Sequence, residues 1–345
     1  MFDATFFIGR FQPFHRGHKA VIDVALEKSQ YVIIGLGSSN RSRSIKNPFT
    51  AEEREQIIKA HYEKDKDRIF FVYLNDYVYD DTKWLAETRD RLSKAVDAIE
   101  IIQNCKINRR NMALIGHEKD GSSFYLKMFP ELKSISVPNF ENLDATWVRK
   151  MLFEQHKVVQ VPIESIREIQ KILSDPTNKV LEKLKVEWDM IEMYKKAWSA
   201  APYPPTFVTT DAVVVCSGHI LLIKRKAAPG AGLSALPGGF LDIPSKERLV
   251  DGMMRELREE TKLKVPREVL LGSIVDRQVF DAPDRSLRGR TITHAFYIDL
   301  GMRDELPKVR GSDDAEKAFW LPINEINPRM MFEDHADIIS HFTKI

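Results

Sequence analysis

Two histidines three residues apart, His15 and His18, lie in a turn between an apolar run and a helical pattern. The turn follows the strand-like run 4–8 and reads Gly9-Arg10-Phe11-Gln12-Pro13-Phe14-His15-Arg16-Gly17-His18. The first N–H groups of a helix are unpaired and the helix dipole is positive there, so this position favours an anion. The imidazoles add donors, the arginines beside them add positive charge, and the two glycines allow close backbone approach. The turn therefore predicts a nucleotide triphosphate site.

Three glutamates in the second half, Glu256, Glu259 and Glu260, share one face of a predicted helix. Carboxylates at i, i+3 and i+4 repel one another, which a purely structural helix has no reason to tolerate. A divalent cation, Mg²⁺ or Mn²⁺, resolves the repulsion and could activate water beside a pyrophosphate. The alternative, an exposed charged helix, does not explain the glycine pair at 238–239 that precedes it.

The first half alternates short β-rich runs with longer helical stretches. This alternation predicts a doubly wound parallel sheet whose ligands lie at the carboxyl ends of the strands, which is where the histidine turn falls. The predicted strands are 5–9, 31–37, 69–74, 112–116 and 134–137. The second half predicts an α+β domain with strands 211–216, 219–224, 269–277, 291–300 and 317–321 and one strong helix within 245–263. We expect the three glutamates to lie on that helix.

The length of 345 residues favours two domains. A helical pattern and a proline-rich stretch separate them, so the predicted limits are 1–161, a connector at 162–205, and 206–345. The net charge of +2 does not suggest a nucleic-acid surface. The longest apolar runs are far short of the roughly 20 residues that cross a bilayer, and the N-terminus lacks a secretory signal pattern. Cys105 and Cys216 fit no metal or disulfide spacing, so we expect free thiols in the cytoplasm.

The first half resembles the H-x-G-H nucleotidylyltransferases, which have Rossmann-like sheets. Its second motif, Asp144-Ala145-Thr146-Trp147-Val148-Arg149, is similar to the I-S-x-T-x-x-R motif of that family, with Leu143-Asp144 in place of Ile-Ser. The segment 46–54 and Trp84 are similar to the archaeal-type nicotinamide mononucleotide (NMN) adenylyltransferases. In that family the tryptophan stacks on the nicotinamide ring, a cation–π contact of roughly 0.5–2 kcal/mol.

This resemblance implies site residues for ATP and NMN, with Mg²⁺ bound on the triphosphate. Catalysis is assigned to His15, His18 and Arg149; ATP and phosphate binding to Gly9, Arg10, Phe11, Gly17, Lys46, Gly116 and Thr146; and NMN binding to Arg41, Asp81 and Trp84. Arg43 also stands among the basic loop residues assigned to phosphates, and the loop 116–120 is expected to line the nucleotide site. A structural role remains the alternative for Trp84, as a core residue, and for Thr50 and Glu53, as a helix capping box.

The second half resembles the Nudix box, G-x5-E-x7-R-E-U-x-E-E-x-G-U. Its implied metal ligands are Gly239, Glu256, Glu259, Glu260 and Glu316, of which Glu256 and Glu260 are also assigned to catalysis. Asp313 and Asp314 are alternatives to Glu316, and Glu247 is expected to orient Arg255. The box departs from the motif twice, because seven residues separate Gly239 from Glu247 and Lys262 replaces a glycine. The segment 280–290 is similar to a loop of Nudix enzymes that act on ADP-ribose, which assigns Arg285, Arg288 and Arg290 to that substrate.

Together the two resemblances imply an enzyme of NAD metabolism. One half would make NAD and pyrophosphate from ATP and NMN, and the other would split ADP-ribose into AMP and ribose 5-phosphate. Two alternatives stay open: a Nudix half that senses its ligand without hydrolysis, and a first half that uses another phosphorylated acceptor. The sequence also leaves the oligomeric state open, including a homo-oligomer.

Overall fold

The computed structural model describes residues 1–116, 127–138, 143–176, 179–311 and 315–344, without the side chains of 315 and 316. The chain forms two compact units, Met1–Lys185 and Val186–Ile345. The division falls within the predicted connector 162–205, and the domain limits drawn from the sequence stay predictions. None of the helices in the described ranges is long and apolar enough to cross a membrane.

The first unit contains five parallel strands in the order β3-β2-β1-β4-β5, which is the order of a Rossmann half-sheet. The predicted doubly wound parallel sheet is thereby confirmed. The strands are β1 Phe2–Gly9, β2 Ser29–Leu36, β3 Ile69–Tyr73, β4 Met112–Gly116 and β5 Lys133–Ser136.

Helices cover both faces of this sheet. Successive residues of β1 point to opposite faces, so Phe7 packs in one core cluster with Val21 and Ile57, while Phe6 packs in another with Val96. The helices are α1 Arg16–Lys28, α2 Ala51–His61, α3 Asp81–Ile102, α4 Ala145–Gln155 and α5 Ile163–Leu173, and α6 Val180–Trp198 crosses the limit between the units. The covered faces leave the carboxyl edge of the sheet for the loops that carry polar side chains.

The second unit contains a mixed sheet, which confirms the predicted α+β fold. The strands follow the order β10-β11-β6-β7-β12, with β8 paired to β7 and β9 paired to β6. Only the β6–β11 pair among them is parallel. Its strands are β6 Thr206–Cys216, β7 His219–Arg225, β8 Ser234–Ala235, β9 Gly238–Phe240, β10 Ile274–Phe280, β11 Arg290–Asp299 and β12 Ala315–Pro322, and its helices are α7 Leu249–Thr261, α8 Arg267–Gly272 and α9 His335–Thr343.

One predicted strand of this unit, 269–277, is wrong in its first half. Arg267–Gly272 forms the short helix α8, and the strand begins only at Ile274. A short apolar run does not distinguish a strand from a buried helical turn, and Pro266 directly before Arg267 is well placed to start a helix. The buried Leu270 is the side chain that anchors this helix to the core around α7.

Candidate active sites

The loops that follow β1 and β2 are held together by one buried arginine. Arg54 on α2 is 1% exposed, and its Nη1 donates to the carbonyls of Arg10 and Gly37, both at 2.6 Å. Its Nε donates to the carbonyl of Thr50 at 3.2 Å, at the start of the same helix. Since parallel strands end at one edge of the sheet, these bonds fix the two loops beside each other at the position where ligands bind.

The two predicted histidines stack in the turn before α1. Their ring centroids lie 3.7 Å apart with an interplanar angle of 26°. His15 Nδ1 accepts from the Gly17 N–H at 3.1 Å, and His18 Nδ1 accepts from the His15 N–H at 3.3 Å. A neutral imidazole that accepts through Nδ1 carries its proton on Nε2. The capping bonds therefore set both rings to act as Nε2–H donors, and Gly17 packs closely enough that a Cβ there would lie 3.0 Å from the His15 ring.

Arg149 brings a desolvated positive charge to the same turn. It lies on α4, whose N-cap Asp144 accepts from the Trp147 N–H at 2.8 Å. Its guanidinium donates to the Gln12 carbonyl at 2.8 Å and to Thr146 Oγ1 at 3.3 Å. Burial, reinforced by the nearby charge of Arg10, lowers the pKa of Arg149 to about 10. Two cations beside the histidine turn, the half-buried Arg149 and the exposed Arg10, are an arrangement that a phosphate would stabilise.

The residues predicted to contact NMN follow β2 and β3, with Arg41 in a loop and Asp81 and Trp84 in the first turn of α3. Arg41 is held by Asp76, through Nε to the carboxylate at 3.4 Å and Nη2 to the backbone carbonyl at 3.3 Å. Trp84 is half-buried on α3 and packs edge-on against Phe129, so the core role and the stacking role both remain compatible with its position. Asp81 is exposed at the start of α3.

Several residues assigned to phosphates have structural partners. Arg43 forms a two-pronged pair with Glu53, at 2.8 and 2.9 Å, beside the capping box that Glu53 makes with Thr50. The ring of Phe11 is fully buried against Phe7 and His18, so that only its backbone could meet a nucleotide. Gly9 and Gly116 end β1 and β4, and Lys46 is half-buried in its loop. The rest of the predicted loop, 117–120, lies outside the described residues.

In the second unit, a glycine pair brings a strand against the glutamate helix. Met253, Met254 and Leu257 of α7 are buried in the core. On β9, the Gly238 N–H donates to Glu260 at 2.9 Å, and a Cβ at Gly238 would lie 2.2 Å from the Thr210 carbonyl. A Cβ at Gly239 would lie 2.6 Å from the Glu256 carboxylate. Gly238 is therefore required by close packing of backbone against backbone, whereas at Gly239 a larger residue would displace the end of the Glu256 side chain.

The carboxylates of this helix differ in their surroundings. Burial raises the pKa of Glu260 to about 8, although the Gly238 N–H opposes this, and burial also raises the pKa of Glu256 against the effect of Arg255. Glu259 is half exposed and bonds Arg255 at 3.0 Å. Arg255 also bonds Glu247 at 2.8 Å and the Phe240 carbonyl at 3.1 Å, and the Arg255 hydrogen bond lowers the pKa of Glu247. The predicted pairing of Glu247 with Arg255 is thus present despite the longer loop.

The donor chemistry of this site suits a divalent cation. Glu260 is buried and Glu256 is half-buried, desolvation raises the pKa of both carboxyl groups, and carboxylate oxygens are the ligands that Mg²⁺ and Mn²⁺ prefer. Among the described side chains, no three His, Cys, Asp or Glu groups converge as a metal site. Arg255 instead binds both Glu256, at 2.8 Å, and Glu259, at 3.0 Å. The predicted late acids Asp313, Asp314 and Glu316 lie outside the described side chains.

The three arginines assigned to ADP-ribose differ in the partners that they contact within the chain. Arg285 is buried and forms a two-pronged pair with Asp334, both bonds at 2.9 Å, and its assignment to ADP-ribose stays a prediction. Arg290 bonds the backbone carbonyl of Asp281. Arg288 lies over the ring of Phe240 at 5.0 Å, next to the glycine pair, and pairs with Glu333 at 3.7 Å.

Comparison with known proteins finds relatives for each half. A cytidylyltransferase-like model matches residues 6–122 and a NUDIX domain model matches residues 206–342. The nicotinamide/nicotinic acid mononucleotide adenylyltransferase of Acinetobacter baylyi is 42% identical over 155 residues, covering 44% of this chain and 77% of that protein. The ADP-ribose pyrophosphatase of Methanocaldococcus jannaschii is 36% identical over 137 residues, covering 40% of this chain and 73% of that protein.

Solved structures also match both halves at once, and one of them was determined with ligands. It is the crystal structure of a bifunctional NMN adenylyltransferase/ADP ribose pyrophosphatase from Francisella tularensis, complexed with AMP and Mn ion. It has a TM-score of 0.90 and 35% identity, and the match covers 100% of this chain and 99% of that chain. The chain belongs to the bifunctional NMN adenylyltransferase/Nudix family.

Three residues of this bifunctional chain were missed by the sequence reasoning. Arg54 and Gln12 hold the loops around the histidines, because Gln12 exchanges two hydrogen bonds with the backbone of Phe49 at 2.8 and 3.0 Å. Asp76 positions Arg41 and also accepts from the Ser38 N–H at 3.2 Å. A signal existed only for Arg54, which follows the cap Thr50 by one helical turn.

The Nudix helix of this family member ends at a strained residue. Lys262 is the C-cap of α7 and has a φ of 47°, which is the left-handed conformation. The Nudix motif has glycine at this position. We expect Lys262→Gly to stabilise the protein by about 0.5–1 kcal/mol, because glycine relieves the backbone strain although it adds freedom to the unfolded chain. Denaturant unfolding measures this. Lys262→Ala loses the same side chain but keeps a Cβ, so an equal gain in that control would show that strain is not the cause.

A buried histidine makes this unit sensitive to acid. His335 Nδ1 accepts from the Leu236 N–H at 2.9 Å, and burial lowers the pKa of His335 despite Asp211 and Asp334 nearby. In the unfolded chain a histidine takes up a proton with a pKa of about 6.5, whereas the folded protein keeps His335 neutral to a lower pH. The stability that neutral His335 gives is therefore present above that pH and is lost as the pH falls below it. We expect the melting temperature of the wild type to fall more steeply on acidification than that of His335→Gln. Parallel curves for the two proteins would contradict this.

Proposed function

We propose that the chain is a bifunctional enzyme of NAD metabolism: its first unit transfers the adenylyl group of ATP to NMN, and its second unit hydrolyses ADP-ribose. The observation that carries this proposal is the match along the whole chain to one bifunctional structure. The geometry supports it, since the first unit brings two imidazoles and Arg149 to one turn and the second brings the glycine pair against the carboxylates of α7.

In the first unit, an oxygen of the NMN phosphate attacks the α-phosphorus of ATP and the bond to the β-phosphate breaks, releasing pyrophosphate. His15 and His18 present Nε2–H donors to phosphate oxygens, and Arg149 and Arg10 offset the charge that develops there. Thr146 and Gln12 hold the Arg149 guanidinium in place. Arg41, Asp81 and Trp84 are assigned to NMN, and Gly9, Gly17, Lys46 and the Phe11 backbone to ATP.

In the second unit, water attacks one phosphorus of ADP-ribose and the diphosphate bridge breaks to give AMP and ribose 5-phosphate. Glu256, Glu259 and Glu260, with the Gly239 backbone, would hold a divalent cation, Mg²⁺ or Mn²⁺, which when bound shields the diphosphate and acidifies water. Glu256 and Glu260 are the candidates to accept the proton of that water. Arg255 and Glu247 fix the helix against the loop, and Arg288 and Arg290 are assigned to the substrate.

Two assays on the purified chain test the proposal. Incubation with ATP, NMN and Mg²⁺ should give NAD and pyrophosphate, and incubation with ADP-ribose and Mg²⁺ should give AMP; chromatography measures both. Failure to form NAD, with turnover of another phosphorylated acceptor, would overturn the first half of the proposal. Binding of ADP-ribose without AMP release would overturn the second half and favour a ligand sensor.

A further inference from the structure

A buried ion pair joins two distant segments of the second unit. Arg285, in the loop between β10 and β11, donates from Nε and Nη2 to the two oxygens of Asp334, both at 2.9 Å, and both side chains are 3% exposed. Asp334 is the N-cap residue of α9, yet within the described range 315–344 its carboxylate forms no capping bond. A buried pair must offset the desolvation of both charges, and this one also forgoes a cap, so a role in holding position explains it better than stability does.

The ion pair anchors the segment 331–335, which lies along the residues that lead to the glycine pair. The Phe332 N–H donates to the Ser234 carbonyl at 2.8 Å. The buried His335 accepts through Nδ1 from the Leu236 N–H at 2.9 Å. Both bonds therefore hold the backbone that runs directly into the glycine pair.

The same stretch of backbone contacts the glutamate helix two residues later. Pro237 follows Leu236, and its carbonyl accepts from an N–H of β6 at 2.8 Å. The Gly238 N–H then donates to Glu260 at 2.9 Å. Because the proline ring fixes one of the two backbone dihedrals between these bonds, a shift at Leu236 is carried to the Gly238 amide. The surroundings of the Glu260 carboxylate thus depend on the anchored segment 331–335.

We propose that Arg285 and Asp334 are positioning residues for hydrolysis. Through His335 they hold the glycine pair against the α7 carboxylates, and so they shape the site for a divalent cation and water. This inference rests on the proposed hydrolysis of ADP-ribose by the second unit. It gives Arg285 a role different from the substrate contact predicted from the sequence, because a substrate contact acts on the binding of ADP-ribose and a positioning residue acts on the cation site.

Binding of Mn²⁺ alone to the full chain tests this role without any turnover. Electron paramagnetic resonance measures free Mn²⁺, and Glu260→Gln identifies the share that the second unit binds. We expect His335→Leu, which cannot accept from the Leu236 N–H, to weaken that binding roughly 10-fold. His335→Gln keeps an acceptor and should recover most of the affinity. Hydrogen exchange at the Leu236 amide should become faster in His335→Leu than in His335→Gln.

Steady-state hydrolysis separates positioning from substrate contact at Arg285 itself. Arg285→Lys keeps the charge but loses the planar fork that holds both oxygens of Asp334, so it should lower kcat about 10-fold with little change in KM for ADP-ribose. Arg267→Lys is the matched control, because it alters an ion pair with Asp251 in the same unit and should change neither kcat nor Mn²⁺ affinity. A higher KM at unchanged kcat and Mn²⁺ affinity would assign Arg285 to the substrate and overturn the proposal.

Wild-type Mn²⁺ affinity in both His335→Leu and Arg285→Lys would also overturn the proposal. If His335→Leu folds poorly, Arg285→Lys alone decides, since its Mn²⁺ affinity should fall together with kcat. A wild-type chain that binds Mn²⁺ through Glu260 but releases no AMP would contradict the proposed hydrolysis instead. The Mn²⁺ and exchange measurements would then still decide whether the ion pair positions this site.

Discussion

Replacing Arg149 with alanine is expected to lower kcat/KM for NAD synthesis about 10²–10³-fold, the usual cost of removing one charged donor from a preorganised phosphate site. The reason lies in the burial of this guanidinium beside Arg10, which lowers its pKa and leaves its charge under-compensated. A desolvated cation interacts strongly with the charge that develops on a transferring phosphate. Initial rates of NAD formation at varied ATP and NMN measure the effect.

The stability of the Arg149→Ala protein separates a functional role from a structural one. Removing a buried cation that is repelled by Arg10 should leave the melting temperature unchanged or slightly higher, as expected where a site sacrifices stability for activity. Hydrolysis of ADP-ribose by the other unit provides a control in the same sample. Arg149→Lys retains the charge but loses the planar fork that bonds Gln12 and Thr146, and it should recover only part of the rate. Equal loss of both activities in Arg149→Ala would contradict a local role.

The features that could be predicted from the sequence are those determined by residues that lie close together along the chain. The strand, turn and helix around His15 and His18 follow from a short stretch of chain, and the face shared by Glu256, Glu259 and Glu260 follows from helical periodicity. Glu247 and Arg255 lie eight residues apart, and their pairing survives the longer loop because a surface turn absorbs extra residues at little cost.

The features that could not be predicted depend on contacts between distant segments. Arg285 lies in a basic loop that predicts anion binding. Its buried partner Asp334 is 49 residues later in the sequence, so only the folded structure reveals the pair. Arg54 acts on backbone carbonyls, which every residue possesses, so no sequence pattern marks its partners Arg10 and Gly37. The same limit applies to α8, whose apolar run fits a strand or a helix until its neighbours are placed.

Glu260→Gln is expected to lower the rate of AMP formation from ADP-ribose about 10³-fold or more, because it removes a charged oxygen at the proposed cation and water site. Glutamine has the size of glutamate and keeps an oxygen that can accept from the Gly238 N–H. It also removes the cost of a carboxylate whose pKa burial raises to about 8, so the melting temperature should not fall. Chromatographic assay of AMP, with NAD formation as the internal control, measures the effect.

Glu260→Gln distinguishes a helix whose carboxylates take part in hydrolysis from a helix whose carboxylates are only exposed surface charges. Glu268→Gln makes the same substitution at an exposed position of α8 and should leave hydrolysis unchanged. Glu259→Gln is intermediate, because it removes a half-exposed carboxylate that Arg255 already neutralises. A graded loss, large at Glu260, smaller at Glu259 and absent at Glu268, follows burial and therefore supports a site built from desolvated charge. If Glu260→Gln retained full hydrolysis, the buried carboxylate would be structural, and the catalytic acids would have to lie elsewhere in this unit.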